Sequence, residues 1–184
     1  HVGVSPERLR RVLAAHGFDD VLIANQVVGP RKIARLVNLA RHAAVKVAVD
    51  DPRNVAELSE AAGAKEVRLG VLVEVNLGMR RCGVEPGRPA LELARKVAGA
   101  PGLEFLGLQG YEGHVINIIP YAERKTKAEA ALRLLTDTRR LIEDAGLQVR
   151  IVSGGGSATY DITGAWPGVD EVQAGSYVFM DASY

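Results

Sequence analysis

The sequence has a single cysteine and almost no excess of either charge. Cys82 is the one cysteine among the 184 residues, so the chain forms no internal disulfide, which suits a reducing cytoplasm. The formal net charge of +1 gives no electrostatic basis for binding nucleic acid or an anionic membrane. No apolar run reaches the roughly 20 residues that span a bilayer. We therefore expect a cytoplasmic protein with no nucleic acid partner and no membrane partner.

What the sequence does contain is a strand-like run followed by a helical pattern, many times over. Strand-like runs, apolar without clean alternation, cover residues 2–5, 21–25, 45–50, 67–76, 103–111, 149–153 and 171–180. Helical patterns cover residues 6–16, 30–43, 55–62, 89–98 and 122–145. Repeated βα units indicate an α/β fold with a parallel sheet. We predict most of a (β/α)8 TIM-type barrel, because polar residues follow many strands instead of one switch point.

These polar residues stand where a barrel has its reactive face, at the carboxyl ends of the strands. They are residues 25–26, 50–51, 76–83, 109–114, 153–157 and 173–177. The sequence has seven strand-like runs, one fewer than the eight strands of a full barrel, and it begins abruptly at His1 and stops abruptly at Tyr184. We therefore expect a barrel that is truncated at both ends.

The stretch IVSGGGSATYD, residues 151–161, runs from a buried strand into three glycines between two hydroxyls. Glycines let a backbone approach a ligand, and consecutive free N–H groups, aided by a helix after Thr159, form an anion cradle. A turn that simply needs flexible residues is the alternative. The neighbouring small residues Gly175, Ser176 and Tyr177 favour a phosphate site, because barrels often bind phosphate after their last two strands.

Two other stretches carry side chains of chemical interest. VEVNLGMRRCGV, residues 73–84, brings two arginines to the reactive face, where one could bind an anionic oxygen or both could be solvated. GLQGYEGH, residues 107–114, ends in Tyr111 and His114, which could stack on a flat ligand and move a proton. A core tyrosine and a loop-capping histidine are the alternative. Cys82 is interpreted as a buried small hydrophobe, and no His, Cys and Asp spacing indicates a metal site.

Together these stretches resemble one family. GMRRCG resembles the GMxRxG segment of the alanine racemase-like, fold type III pyridoxal-phosphate (PLP) barrels. With VLIANQVVGPRKIARL, GLQGYEGH, IVSGGGSATYD and EVQAGSYVFMDASY, the chain looks like the D-threonine aldolase and D-3-hydroxyaspartate aldolase group of the D-serine dehydratase-like branch. The resemblance covers essentially the whole chain.

The resemblance implies roles for individual residues. Arg81 would face the PLP 3′-oxygen, and Tyr111 and His114 would stack on the ring or transfer protons, so these three are the implied catalytic residues. The implied cofactor-binding residues are Arg81, Tyr111, Ser153, Gly154, Gly155, Gly156, Ser157, Gln173, Gly175, Ser176 and Tyr177. Gln173 stands where alanine racemases carry an arginine against the pyridine nitrogen, which favours the aldolase and dehydratase branch.

The resemblance also implies an activity for the whole protein. It would be a PLP-dependent lyase, a homodimer that cleaves D-threonine-like D-amino acids to glycine and an aldehyde. Residues 1–184 would form the central and C-terminal part of the barrel. The Schiff-base lysine, and the ligands of a divalent Mn, Mg or Zn ion in a C-terminal β domain, would lie outside this chain. D-serine dehydratase, a non-catalytic PLP-homeostasis protein and a phosphate-binding barrel of sugar metabolism are the alternatives.

Overall fold

The computed structural model of the chain describes residue 18 and residues 20–179. The strands in this part are β1 (Asp20–Gln26), β2 (Ala44–Val49), β3 (Leu69–Val75), β4 (Leu103–Gly110), β5 (Ile151–Gly154) and β6 (Glu171–Val172). The helices are α1 (Pro30–Leu39), α2 (Pro52–Ala64), α3 (Arg88–Ala98), α4 (Tyr121–Asp144) and α5 (Tyr160–Gly164), with 3-10 helices at Gly113–Val115 and Ser176–Phe179. The strand predicted at residues 2–5 and the helix predicted at residues 6–16 lie outside the described residues.

The strands form one sheet in the order β1-β2-β3-β4-β5-β6. The pairs β1 with β2, β4 with β5, and β5 with β6 are parallel. Each strand therefore lies beside its predecessor in the chain, whereas a doubly wound sheet reverses its order at a switch point. This topology confirms the predicted barrel-type α/β fold and places the carboxyl ends of the strands at the same edge of the sheet.

The local sequence explains where the first helices begin and end. Asp51 is the N-cap of α2, and its carboxylate accepts a hydrogen bond from the Arg53 amide at 2.7 Å. Pro30 starts α1 directly after Gly29, whose φ is +95°. The helix ends at Leu39 rather than at the predicted residue 43, because the chain turns and the His42 amide donates to the Leu39 carbonyl at 2.9 Å.

The strand predicted at residues 171–180 was wrong for residues 173–179, and residue 180 lies outside the described residues. The Gln173 amide still donates to the Gly154 carbonyl at 2.9 Å, but the chain then leaves the sheet. A 3-10 helix follows at Ser176–Phe179, and the Val178 amide donates to the Gly175 carbonyl at 3.2 Å. Glycine and serine favour a turn at this point, and this local preference outweighs the strand propensity of the apolar residues that follow.

The chain divides into two compact units by packing. The first comprises His1–Leu72 and Arg95–Phe105, and the second comprises Val73–Ala94 and Leu106–Tyr184. Leu36 and Leu58 are fully buried in the first unit, and Leu108, Leu132 and Leu135 are fully buried in the second. Within the described part of the chain, no helix is long and apolar enough to cross a membrane.

Candidate functional site

The polar residues predicted at the strand ends differ between the two units. In the first unit they take local structural roles: Asp51 caps α2, and the Asn25 side-chain amide donates to the Gln26 carbonyl at 2.9 Å. In the second unit, the segments after β3, β4, β5 and β6 contact one another through side chains. The candidate site therefore belongs to the second unit.

Asn76 shapes the loop that follows β3. Its side-chain oxygen accepts hydrogen bonds from the amides of Gly78 and Arg80, at 3.1 and 3.0 Å. A Cβ on Gly83 would lie 2.6 Å from the Asn76 amide nitrogen, so a larger residue does not fit there without a shift. The loop backbone is thus held in one conformation, and this conformation fixes the position from which the Arg81 side chain extends.

Arg81 and Tyr111 form the centre of the candidate site. The Arg81 guanidinium lies over the Tyr111 ring, 5.5 Å from the ring centroid, which is a cation–π arrangement. The same ring contacts the glycine loop after β5, since a Cβ on Gly156 would lie 3.0 Å from Tyr111 Cε2. Tyr111 is half-buried and Arg81 is exposed. The structure therefore brings together predicted residues that follow three different strands.

The glycine loop is buried and has open backbone amides. Gly155 has a φ of +70°, and a Cβ there would lie 2.9 Å from Thr163 Cγ2. Among the described residues, no acceptor pairs with the backbone N–H groups of Gly156 and Ser157. Unpaired buried amides are uncommon, and neighbouring ones create a concavity that attracts anions. The glycines thus permit close packing and leave donors available. A short helix, α5, begins after Thr159 and has five residues.

The second small-residue turn is hydrogen-bonded to this loop. The Tyr177 amide donates to the Ser157 hydroxyl at 3.2 Å. The space around Gly175 is open: apart from its two chain neighbours, no described residue has an atom within 4 Å of the position that a Cβ would take. In the part of the chain that the structure describes, the amides of Gly175 and Ser176 donate to no acceptor. Both predicted phosphate-binding turns therefore offer free donors and are connected to each other.

A series of hydrogen bonds joins four side chains at the ends of β3 to β6. The Gln173 amide nitrogen donates to Gln109 Oε1 and to the Ser153 hydroxyl, both at 2.9 Å. The Gln109 amide nitrogen in turn donates to a carboxylate oxygen of Glu74. Glu74, Gln109 and Ser153 are all buried. Ser153 and Gln173, which were predicted separately, are thus members of one network that ends at a buried carboxylate.

Glu112 forms a second buried polar cluster. Its Oε1 accepts hydrogen bonds from the hydroxyls of Thr159 and Thr163, at 2.6 and 2.7 Å. Its Oε2 is buried and has no partner among the described residues. Thr159 and Thr163 come directly after the glycine loop, whereas Glu112 follows Tyr111. The carboxylate therefore ties the glycine loop to the segment that carries the tyrosine ring.

His114 and Cys82 lie near the loop that carries Arg81. His114 is exposed, and its ring packs near Gly78, where a Cβ would lie 3.1 Å from the imidazole Cε1. Cys82 differs from the expected buried hydrophobe: it is half-buried, and its sulfur lies 3.7 Å from a Glu74 carboxylate oxygen. The described residues contain no group of three or more His, Cys, Asp and Glu side chains that could hold a metal ion.

An open cleft of about 580 Å³ adjoins the glycine loop at Ser157. The Tyr121 hydroxyl at its rim donates to Asp161 Oδ2 at 2.7 Å, and this hydrogen bond is the main cause of a raised Tyr121 pKa. The Arg124 guanidinium lies over the Tyr121 ring, 5.5 Å from its centroid. The cleft thus places a cation, an anion and an aromatic ring beside the predicted phosphate-binding loop.

The sequence analysis missed two carboxylates of this region, Glu74 and Glu112. Glu74 did have a signal, since it stands inside the apolar run VLVEVN, and a glutamate in a strand buried on both faces requires polar partners. Glu112 had no comparable signal, because a single glutamate at the start of a loop is usually solvated. Only the burial and the two threonine contacts distinguish it.

Comparison with known proteins gives consistent relationships. The family described as alanine racemase, N-terminal domain, matches residues 10–183. The 3-hydroxy-D-aspartate aldolase of Paracoccus denitrificans (strain Pd 1222) is 39% identical over 186 residues, which cover 100% of this chain and 48% of the relative. The D-threonine aldolase of Arthrobacter sp is 38% identical over 170 residues, which cover 92% of this chain and 45% of the relative. The crystal structure of D-threonine aldolase from Filomicrobium marinum has a TM-score of 0.91 and 42% identity, covering 95% of this chain and 47% of that one.

The chain spans about half the length of the curated relatives it matches. The resemblance expected from the sequence motifs is confirmed, since the family match extends over nearly the whole chain and the strand order agrees with a barrel. On this evidence the chain belongs to the alanine racemase N-terminal domain family.

Proposed function

We propose that this chain is part of a PLP-dependent lyase that cleaves D-3-hydroxy amino acids, such as D-threonine, to glycine and an aldehyde. The observation that carries the proposal is the contact of the Tyr111 ring with both the Arg81 guanidinium and the glycine loop. The names of the relatives, 3-hydroxy-D-aspartate aldolase and D-threonine aldolase, support the choice of reaction.

The residues fit PLP because they combine an anion cradle, a flat ring and a cation. In our proposal the amides of Gly156, Ser157 and, in the neighbouring turn, Ser176 would donate to the phosphate. Side chains at Gly155 and Gly156 would collide with Thr163 or Tyr111, so glycine keeps the packing of the loop and leaves its amides open. The remaining predicted contacts come from Ser153, Gly154, Gly155, Gly175 and Tyr177.

The chain's own residues would orient the cofactor and move protons. When bound, PLP supplies the electron sink for the bond that breaks at the substrate Cα. The half-buried Tyr111 ring would set the plane of the pyridine, and the Arg81 guanidinium would stabilise an ionised phenolic oxygen. Exposed His114 would accept or return a proton at the strand exit. Loss of the β-hydroxyl proton and cleavage of the Cα–Cβ bond would release the aldehyde, and return of a proton to Cα would leave glycine.

The proposal places the rest of the active site elsewhere in the protein. Residues 1–184 form the central and C-terminal part of a PLP-binding barrel, and the Schiff-base lysine lies outside them. A divalent Mn, Mg or Zn ion is held by residues of a further β domain. We also propose a cytoplasmic homodimer. The sequence resemblance supports each of these points.

The test uses the whole protein, purified with PLP and Mn²⁺ and supplied with D-threonine. Glycine and acetaldehyde in equal amounts are the expected products, and L-threonine is the matched control that should give neither. Addition of EDTA should remove the activity, and Mn²⁺ should restore it. Formation of 2-oxobutyrate and ammonia would replace the aldolase with a dehydratase. PLP binding without any product would indicate the non-catalytic PLP protein.

A further inference from the structure

The hydrogen-bonded series Glu74, Gln109 and Gln173 has a direction. A carboxylate can only accept hydrogen bonds, so the Gln109 amide must turn its nitrogen toward Glu74. The Gln109 oxygen then points to Gln173, and it accepts from the Gln173 nitrogen at 2.9 Å. One buried charge thus determines the orientation of two neutral amides in succession.

The consequence appears at Gln173, at the far end of the series. The amide nitrogen of Gln173 has two hydrogens, and both are used, by Gln109 Oε1 and by the Ser153 hydroxyl. Its oxygen accepts no hydrogen bond from any described residue. Gln173 is half-buried and stands beside the glycine loop. It therefore presents an acceptor, and not a donor, to whatever lies next to it.

We propose that Glu74 is a positioning residue that makes Gln173 a hydrogen-bond acceptor for the pyridine nitrogen of the cofactor. This inference rests on the proposed function. An acceptor at this place pairs with a ring nitrogen only when that nitrogen carries a proton. Glu74 thus favours the pyridinium form of bound PLP through two intervening amides, without contacting the cofactor itself.

The neighbouring charges agree with this assignment. Glu74, Arg81, Cys82 and Tyr111 line one small cavity. Arg81, the cation of this group, is exposed and lies over the tyrosine ring, where it would meet the phenolic oxygen. The ring nitrogen is the group that the family resemblance places at Gln173, where alanine racemases carry an arginine. A pyridinium attracts electrons more strongly than a neutral pyridine, so the series would strengthen the electron sink.

The experiment uses the whole protein loaded with PLP that carries ¹⁵N in its ring, because the ¹⁵N chemical shift distinguishes pyridinium from pyridine directly. The first variant is Glu74→Gln, in which residue 74 can both donate and accept and no longer fixes the direction of the amides. We expect the wild type at the pyridinium shift and the variant moved toward the neutral pyridine. PLP affinity should fall about tenfold, the effect of one ordinary hydrogen bond.

Two further variants separate positioning from simple structural support. Glu171→Gln, which changes an exposed glutamate of β6, is the matched control and should keep the wild-type shift and affinity. Gln173→Met removes the acceptor and leaves the buried carboxylate of Glu74 in place. It therefore still tests the hydrogen bond to the ring nitrogen if Glu74→Gln does not fold. We expect Gln173→Met to show the neutral-pyridine shift.

A wild-type ¹⁵N shift in Glu74→Gln or in Gln173→Met would overturn the inference. These results would leave the proposed function intact. Failure of the wild-type protein to bind PLP at a saturable site would instead remove the proposed function, and this inference with it.

Discussion

The buried carboxylate of Glu112 accepts a hydrogen bond from the hydroxyl of Thr163 at 2.7 Å, across 51 residues of sequence. Thr159 donates to the same oxygen at 2.6 Å. We expect Glu112→Ala to lower the free energy of unfolding by about 2–4 kcal/mol, since it leaves two hydroxyls unpaired and creates a void. Chemical denaturation measures the change.

Matched variants test whether the threonine contacts are responsible. Glu112→Gln keeps an acceptor oxygen and should lower the free energy of unfolding by less than Glu112→Ala does. Glu60→Ala, at an exposed position of α2, should change stability by less than about 0.5 kcal/mol. Equal losses for the alanine and glutamine variants of Glu112 would show that the hydrogen bonds to the threonines contribute nothing.

Gly155 and Gly63 should respond to alanine in opposite ways. Gly155 has a φ of +70°, and its Cβ would lie 2.9 Å from Thr163 Cγ2, so Gly155→Ala should destabilise the fold by about 1–3 kcal/mol. Gly63 lies within α2 and has open space around it, so Gly63→Ala should stabilise by about 0.5–1 kcal/mol. Thermal unfolding of both variants checks the contrast, and a neutral Gly155→Ala would contradict the described loop.

Asp51 should give stability a specific dependence on acid pH. Its side chain accepts hydrogen bonds from Arg53, and this lowers the pKa of the carboxyl group from 3.8 to about 2. Because the folded-state pKa is the lower one, the contribution is complete above pH 3.8 and is lost as the pH falls toward about 2. Asp51→Asn should lose this dependence, whereas Asp144→Asn should keep it. NMR titration of the Asp51 carboxyl carbon measures the pKa, and a midpoint near 3.8 would contradict the cap.

Arg81 and Arg80 are adjacent but differ in their contacts. The Arg81 guanidinium lies over the Tyr111 ring at 5.5 Å, while Arg80 is exposed with a φ of +54°. We expect Arg81→Ala to weaken PLP binding by the whole protein about 10- to 100-fold, the loss of a charge-assisted contact. Arg80→Ala should leave the affinity within about twofold. Fluorescence titration with PLP compares the two, and equal affinities would show that Arg81 is misassigned.

His114 is predicted to act on turnover rather than on cofactor binding. It is exposed and packs near Gly78, beyond the strand exit that carries Tyr111. His114→Ala should lower kcat about 100- to 10,000-fold, as loss of a proton-transfer group does, and leave the PLP content unchanged. His42→Ala, at a turn in the first unit, is the control. Wild-type turnover in His114→Ala would remove this residue from the mechanism.

The regular elements could be predicted because their signals are local. Apolar runs indicated β1 to β5, and the helical pattern predicted from residue 30 begins where α1 does. The helix predicted at residues 55–62 is longer in the structure, where α2 covers Pro52–Ala64. The extension of β6 through residues 173–179 was wrong, because the strand ends when its pairing with β5 ends at Gly154, which is a tertiary condition. Cys82 was mistaken for a buried hydrophobe because its nearness to Glu74 is also a matter of folding.

The sequence by itself determined the alternation of strands and helices, the positions of the two small-residue turns and the family resemblance, because all of these depend on neighbours along the chain. Only the tertiary structure decided that Arg81 meets Tyr111, that Glu112 binds two threonines and that Glu74 directs Gln109 and Gln173. These contacts join side chains that follow different strands. They form because parallel strands bring their carboxyl ends to one edge, where buried charges must find partners.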